Sequence, residues 1–505
     1  MAGLGGTPEG LAEGEDMLTT QEVECAAGPV AAAEAARGEP YTCFLDSSLA
    51  GPRGRWSFLC SRPFLVMTVN RGRVWIDGRD GGSDPFAALA SLLKEHRLPL
   101  GGQEPPFACG AAGYLSYDLG RYVEEIPSSA VEDLPQPDMC LAFYDCVLAF
   151  DTAGGRAWLS CLASGRDKAE DLRRRLRSVS SSPVRSAARR FDPAARVDWS
   201  GVDCNLTHPD YLQAVERVKD YIAAGDVYQI NLSQRFSAPL EGDPWSLYKV
   251  LREVNPSPFG CFLDFPDLVL ASASPERLLC LDAATRTVET RPIKGTRPRG
   301  RTRAEDRRLA AELASSEKDR AENVMILDME RSDLGKVCEY GSVHVPSLRE
   351  IEQHPNVFQM VSTARGTLAS DKGPAELLAA CFPGGSITGA PKVRAMQIIE
   401  ELEPTRRGIY TGSVGYIDFR GNMDFNIVIR SFVLRDGRAY FHAGGGVVAD
   451  SDPEKEYQET LDKVAGLVRA LQQVRASSRD SGTHSEAALL APGTRHLTPE
   501  GGCRG

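Results

Sequence analysis

None of the 13 cysteines falls in a CxxC pair, and the two nearest each other are Cys140 and Cys146. That suggests neither a zinc site nor a disulfide framework and reads as reduced thiols in a cytoplasmic protein. No apolar run reaches the roughly 18 residues that a membrane-spanning helix needs. The first basic residue is Arg37, so the charged start of a signal peptide is not expected. Positive charge is in short supply: 58 Lys and Arg stand against 69 Asp and Glu, a net charge of −11. A surface of that sign disfavours nonspecific binding to nucleic acid or to an anionic membrane. There is no GxGxxG fingerprint, no internal repeat, and no cysteine in a GxCxG elbow.

What remains is an ordinary globular composition, 42% apolar and 25% charged, over 505 residues. That is enough chain for two or three domains of about 100–200 residues each. Residues 1–37 are rich in Ala, Gly and Glu and read as a loose segment. Residues 38–162 read as mostly strand: "RWSFLC", "FLVMTVN", "RVWIDG" and "CLAFYDCVLAF" are β-branched and aromatic runs. One helix, "DPFAALASLLKEHR", interrupts them, with Asp84 as cap and Pro85 at its first position. Residues 163–200 are basic and Ser-rich, a charged helix running into a linker. Residues 201–475 read as one large unit of strands and helices, with "FGCFLDFPDLVLASA" taken as one strand and long helices near 303–331, 391–403 and 453–473. Residues 476–505 return to Ser, Gly and Pro, a second loose tail.

Several constellations in the large unit carry chemistry. Asp319 and Glu322 form one acidic pair and Glu456 and Glu459 another, each at i, i+3 spacing. The second lies on a helix that Asp452 can cap, with Tyr457, Leu461, Val464, Val468 and Leu471 as its buried stripe. Two helices presenting carboxylates this way could hold Mg²⁺, which takes oxygen ligands and typically only one or two carboxylates. Acidic pairs at this spacing are equally at home on solvated helices. In "FPGGSITGAPKVRAMQIIEELEP" (382–404), Gly384 and Gly385 free the backbone and Ser386 and Thr388 supply hydroxyls just before a helix start, a place suited to an anion or simply to a turn. In "FHAGGGVVADSDPEKEY" (441–457), Gly444, Gly445 and Gly446 lie between a strand and the acidic helix, either to let a ligand approach the backbone or to make a tight loop. Arg430 sits in the apolar run "FNIVIRSFVL", placed in a strand, where it is paired structurally or holds a carboxylate. His354, one of seven histidines, reads by itself as structural. Lys294, in "ETRPIKGTRPRG" (289–300), could be a surface charge, an anion ligand or a nucleophile.

Taken in order, "DVYQINLSQRF", "ASASPERLL", "RPIKGTRPRG", "RAENVMILDMERSDLGKV", "EQHPNVFQMVSTARG", "GGSITGAPKVRAMQIIEELEP", "GSVGYIDFRGNMDFNIVIRS" and "AGGGVVADSDPEKEYQETLDK" resemble the chorismate-utilising enzymes, the family of anthranilate synthase component I and its relatives. The resemblance spans about 205–473. Upstream, "CFLDSS…GRWSFLCSRP" looks like the family's segment around a bound or regulatory tryptophan.

The resemblance implies an α+β fold, large β-sheets packed at the core with helices outside, and a noncatalytic amino-terminal portion joined to the same core. It also bears on Lys294. Anthranilate and isochorismate synthases typically carry alanine here, whereas "PIKGT" is the aminodeoxychorismate synthase form, with the lysine attacking C2 of chorismate. Gln229 stands where isochorismate and salicylate synthases carry a water-activating lysine, which favours ammonia over water as the nucleophile. By the same resemblance Glu276 is the general acid–base and His354 assists departure of the hydroxyl. Glu322 and Glu459 ligate Mg²⁺, with Asp319 and Glu456 holding its waters. Tyr410, Arg430 and the amides of Gly444, Gly445 and Gly446 hold the enolpyruvyl carboxylate, and Ser386, Thr388 and Lys463 lie around the ring carboxylate. Asp319 departs from the family's usual glutamate, and its shorter side chain reaches less far. With no glutaminase in the chain, ammonia is expected from a separate glutamine amidotransferase. The implied product is 4-amino-4-deoxychorismate, a precursor of 4-aminobenzoate and folate, with anthranilate synthase the competing activity.

Overall fold

The computed structural model describes residues 17–25, 27–49, 51, 53–101, 105–178, 197–354 and 357–480. Within them two antiparallel sheets of 12 strands each pack face to face. The first runs Thr19–Val23, Arg156–Cys161, Cys146–Asp151, Trp56–Cys60, Thr42–Asp46, Phe259–Phe265, Leu268–Ser274, Ser431–Arg435, Arg438–Val447, Gln229–Pro239, Asp203–Cys204, with Gly389–Ala390 also pairing the Gln229–Pro239 strand. The second runs Ile293–Pro298, Val357–Thr367, Thr287–Thr290, Arg277–Asp282, Met423–Asn426, Ser413–Asp418, Gly110–Leu115, Met139–Tyr144, Leu65–Asn70, Arg73–Ile76, Arg79–Asp80, with His344–Gln353 on the far side of Val357–Thr367. The fold is α+β.

Side-chain alternation along the strands explains the layers. Val147 and Ala149 point into a core made only of strand and loop residues from both sheets. Their neighbours Cys146, Leu148 and Phe150 point outward into a second core, shared with Trp245, Val464 and Val468 of the flanking helices. Likewise Cys140, Ala142 and Tyr144 face the central layer while Met139, Leu141 and Phe143 face a third core under helices carrying Phe86, Leu89 and Leu378. With both strand faces buried, no polar alternation is needed, which is why "CLAFYDCVLAF" reads as an unbroken apolar run. It is two strands, interrupted at Asp145, and "FGCFLDFPDLVLASA" is likewise a hairpin that turns at Pro266 and Asp267 rather than one strand.

The amino-terminal portion is woven into both sheets. Phe44 pairs with Phe262 in the first sheet and Gly113 with Gly415 in the second. A Cβ on Gly415 would sit 2.1 Å from the oxygen of Asp424, so only glycine allows that approach. The segment expected to be loose over 1–37 carries a strand, Thr19–Val23, and a helix, Gly28–Ala35, packed on the first sheet through Ala32 and Ala33. The charged helix expected in 163–200 is Arg166–Ser178; residues 179–196 lie outside the described part. The expected long helix near 303–331 is two, Arg303–Ser315 and Glu317–Gly335, parted at Ser316, whose hydroxyl caps the second. The last helix runs Pro453–Asp480, reaching into the expected tail, of which 481–505 lie outside the described part. Among the described residues no helix is long and apolar enough to cross a membrane.

Candidate active site

Five pieces meet at one end of the first sheet: the strand Ile293–Pro298, the helices Glu317–Gly335 and Pro453–Asp480, the glycine-bearing strand Arg438–Val447 and the 3-10 turn Gly385–Ile387. Lys294 is half-buried on the first of these. Its Nζ donates to the main-chain oxygen of Ser386 at 2.9 Å. Burial pushes the amine below the usual lysine range, against the pull of Glu322 and Glu276. Glu276, 5% exposed, accepts from the Ile293 amide at 3.3 Å. Burial raises its carboxyl, and nearby Ser386 and Lys294 only partly offset this. The hydroxyl of Ser386 is buried beside that carboxyl with no partner in good hydrogen-bond geometry. Thr388 is occupied within its own turn, its Oγ1 donating to the oxygen of Gly384 at 3.0 Å.

The three glycines belong to the strand and not, as expected, to a loop. Gly444, Gly445 and Gly446 pair with Ser233, Leu232 and Asn231. On the other side the neighbouring strand's register stops at Val433 opposite Tyr440, which leaves that edge of the glycine stretch open. A Cβ on Gly445 would lie 3.0 Å from Oε2 of Glu456, and one on Gly446 would lie 2.2 Å from Nε2 of Gln229 and 3.6 Å from Glu322. The glycines thus let the carboxylates of both helices close onto the sheet. Gln229 is fully buried and its Oε1 has no partner.

The acidic pairs come together in part. Glu456 accepts from Ser451 Oγ at 2.7 Å, and its Oε1 lies 3.7 Å from Nζ of Lys318, which is 3.9 Å from Glu322. Burial raises both Glu322 and Glu456, with Asp319 adding to the first and Glu459 to the second. Glu459, half-exposed, is contacted by Lys463 at 2.6 Å; burial would raise it, but Lys463 and its neighbours hold it below the usual range. Lys463 also donates to the oxygen of Gly444 at 2.7 Å. Asp319 turns to Arg297 at 3.0 Å.

Among the described residues no group of three or more His, Cys, Asp and Glu converges as a metal cage. The donor set is nevertheless all oxygen, and a lysine ammonium already sits between Glu322 and Glu456 as their cation. That fits a divalent ion held by one or two carboxylates and completed by water and substrate.

Arg430 lies in a break between strands and not within one, with φ at 56°, and its Nη1 donates to the main-chain oxygen of Lys463. Tyr410 is buried and stacked on His442 at 4.5 Å. His354 sits apart: its Nε2 is buried without a hydrogen-bond partner, 3.6 Å from the carboxylate of Glu352.

Sequence reasoning missed Lys318, Ser451 and the buried pair Glu403–Arg407. Arg407 bonds both oxygens of Glu403 and reaches the main-chain oxygens of Ile387 and Asn231, tying the serine turn to the sheet. The i, i+4 spacing of Lys318 to Glu322 and of Glu403 to Arg407 was the available signal.

A family model described as "chorismate binding enzyme" matches residues 48–469. Aminodeoxychorismate synthase component 1 of Bacillus subtilis (strain 168) is 42% identical over 392 residues, 77% of this chain and 82% of that protein. Anthranilate synthase component 1 of Thermus thermophilus is 41% identical over 448 residues, 86% of this chain and 93% of that protein. The crystal structure of anthranilate synthase component I from Streptococcus pneumoniae TIGR4 superposes with a TM-score of 0.72 at 32% identity, over 83% of this chain and 94% of that one.

Proposed function

The chain belongs to the chorismate-binding enzyme family, and from that premise we propose that it is an aminodeoxychorismate synthase, making 4-amino-4-deoxychorismate from chorismate and ammonia. The observation that carries this is Lys294. By the resemblance of "PIKGT" it stands where the two activities are expected to differ, and it is a depressed amine beside a raised carboxyl, Glu276.

The chemistry follows from that pairing. The neutral Nζ of Lys294 attacks C2 of chorismate, both conjugated ring double bonds shift, and the C4–O bond breaks. Glu276 gives its proton to the departing oxygen, which leaves as water. Ammonia then adds at C4, both double bonds shift back, and the C2–N bond to Lys294 breaks. The amine's surplus proton returns to the Glu276 carboxylate, so the cycle closes. The enolpyruvyl group is retained.

Glu322 and Glu459 would hold Mg²⁺, with Glu456 and Asp319 behind them; when bound, the ion supplies a template and Lewis acid for the ring carboxylate. Arg430, Tyr410 and the open edge at Gly444–Gly446 receive the enolpyruvyl carboxylate. Ser386, with its unpaired hydroxyl, Thr388 and Lys463 flank the ring carboxylate. A partner glutamine amidotransferase supplies the ammonia, in keeping with the relatives' designation as component 1.

The test is a product assay: purified protein with chorismate, Mg²⁺ and ammonium, products resolved by mass, and Lys294→Ala alongside. Aminodeoxychorismate from the native chain, lost in the variant, is the expected result. Anthranilate from the native chain would overturn the proposal in favour of anthranilate synthase.

A further inference from the structure

The serine turn, the glycine edge and Tyr410 come from three separate stretches of chain, and one buried guanidinium joins them. The helix Lys392–Leu402 stops ahead of Pro404, which disfavours helical backbone at Glu403. Glu403 and Arg407 lie in the loop that follows, both buried. All five N–H donors of Arg407 find acceptors. Nε and Nη2 hold the two oxygens of Glu403 at 2.9 and 2.7 Å. Nη1 donates to the main-chain oxygen of Ile387 at 2.8 Å and to Oγ1 of Thr411 at 3.3 Å. Nη2 also donates to the main-chain oxygen of Asn231 at 2.6 Å.

Each of these bonds ends beside a group of the site. Ile387 follows Ser386, whose main-chain oxygen accepts from Lys294. Asn231 pairs with Gly446, and its amide donates to the oxygen of Thr388 at 2.8 Å. Glu403 accepts from the amide and the hydroxyl of Ser233, the partner of Gly444, at 2.8 and 2.9 Å. Tyr410 closes a turn on Arg407, its amide donating to the Arg407 oxygen at 3.1 Å. Burial would lower the guanidinium, but Glu403 outweighs it and holds it above its usual range, so the charge is permanent. A lysine carries its three donors on one nitrogen and cannot span acceptors set this far apart.

We infer that Arg407 is a positioning residue for the reaction: it fixes the serine turn against the glycine edge and Tyr410, and so sets the span between the two places that receive the carboxylates of the substrate. It does this through main-chain oxygens, which no neighbouring side chain can replace as anchor points. Without the guanidinium the three stretches lose their common reference, and the carbonyl that orients Lys294 moves with the turn. A misplacement of about 1 Å that originates away from the chemistry can cost about 10²-fold in rate. The inference rests on the proposed reading of Ser386, Tyr410 and Gly444–Gly446 as substrate-binding.

The test is steady-state chorismate consumption by the full chain with Mg²⁺ and ammonium, with a thermal melt of each protein. The variants are Arg407→Met, the double variant Arg407→Met/Glu403→Gln, Arg407→Lys and Ser386→Ala. Removing one member of a buried ion pair is strongly destabilising, whereas removing both charges is not. Arg407→Met should therefore melt well below the native chain, and the double variant should recover most of that loss. Catalysis should not recover with it: kcat/KM should stay about 10²-fold down in the double variant, through both a lower kcat and a higher KM. Arg407→Lys, which keeps the charge beside Glu403, should show the same loss of rate, and it decides the point if the double variant does not fold. Native kcat/KM in any Arg407 variant, or a rate that returns in step with the melting midpoint, would overturn the inference. Ser386→Ala separates this from failure of the site reading. A native kcat/KM there overturns that reading and the inference with it, whereas a loss there beside native constants in the Arg407 variants overturns the inference alone.

Discussion

Lys294 donates from Nζ to the main-chain oxygen of Ser386 at 2.9 Å, and the hydroxyl of that same serine is buried beside the Glu276 carboxyl with no partner in good hydrogen-bond geometry. A neutral amine can keep this bond, because it still has N–H to donate while its lone pair points elsewhere. The carbonyl therefore orients the amine without consuming its nucleophilicity, and the idle hydroxyl is left for a ligand.

Replacement of Lys294 by alanine should lower kcat for aminodeoxychorismate by about 10³-fold or more, the size of loss expected when a nucleophile is removed. Lys294→Arg should not rescue it, since a guanidinium stays protonated and has no lone pair to offer. Steady-state rates with circular dichroism to verify folding check this. A variant retaining a tenth of native kcat would rule out covalent catalysis at this position.

The pH profile should be bell-shaped, and its signs follow from the two shifted groups. Burial lowers Lys294, so activity is lost toward acid as the amine takes a proton. Burial raises Glu276, so activity is lost toward alkali as the carboxyl gives its proton up. The limbs belong to the coupled set that includes Glu322 and not to single residues. Glu276→Gln should cost about 10²–10⁴-fold in kcat and abolish the alkaline limb. An unchanged alkaline limb in that variant would assign it to another group.

The strands and the chemistry were unequally legible in the sequence. Asp84 and Asp452 cap their helices as their patterns predict, because capping is local: Asp84 accepts from the amides of Phe86 and Ala87, and Asp452 from Lys455. Gly444–Gly446 were legible as a backbone site but not as strand, since only the pairing with Asn231, Leu232 and Ser233, two hundred residues away, makes them one. Arg430 looked like strand because its neighbours are apolar, but a positive φ cannot be read from residue type. The ion pairs that Arg53 and Arg291 make with Glu352 were invisible because they join residues about 60 to 300 apart. Motif order carried the family because it samples all these distances together.

Removal of divalent metal should abolish turnover, with Mg²⁺ restoring it. Glu322→Gln and Glu459→Gln should each raise the Mg²⁺ concentration for half-maximal activity by about 10-fold or more. Asp319→Ala should shift it much less, because Arg297 already engages that carboxylate. A titration of activity against Mg²⁺ for the three variants decides the point. Equal shifts for all three would mean that Arg297 releases Asp319 to the ion's waters.

Glu330 yields a prediction on stability independent of catalysis. It lies on the Glu317–Gly335 helix, 7% exposed, accepting from Oγ1 of Thr290 at 2.7 Å. Burial raises it to about 8, against the hydrogen bond from Thr290. Its folded value lies above its unfolded one of 4.5, so between these the folded state binds more protons than the unfolded chain. The stability it contributes is fully present below pH 4.5 and is lost as pH rises through about 8. Glutamine has the same shape and no proton to lose. Glu330→Gln should therefore gain on the native chain as pH rises, by on the order of 3 kcal/mol across that window. Urea unfolding of both proteins at pH 5, 6.5 and 8 measures the difference directly. If the two curves run parallel, the Glu330 carboxyl ionises in the folded protein much as it does in water, and burial under the serine turn does not govern its charge.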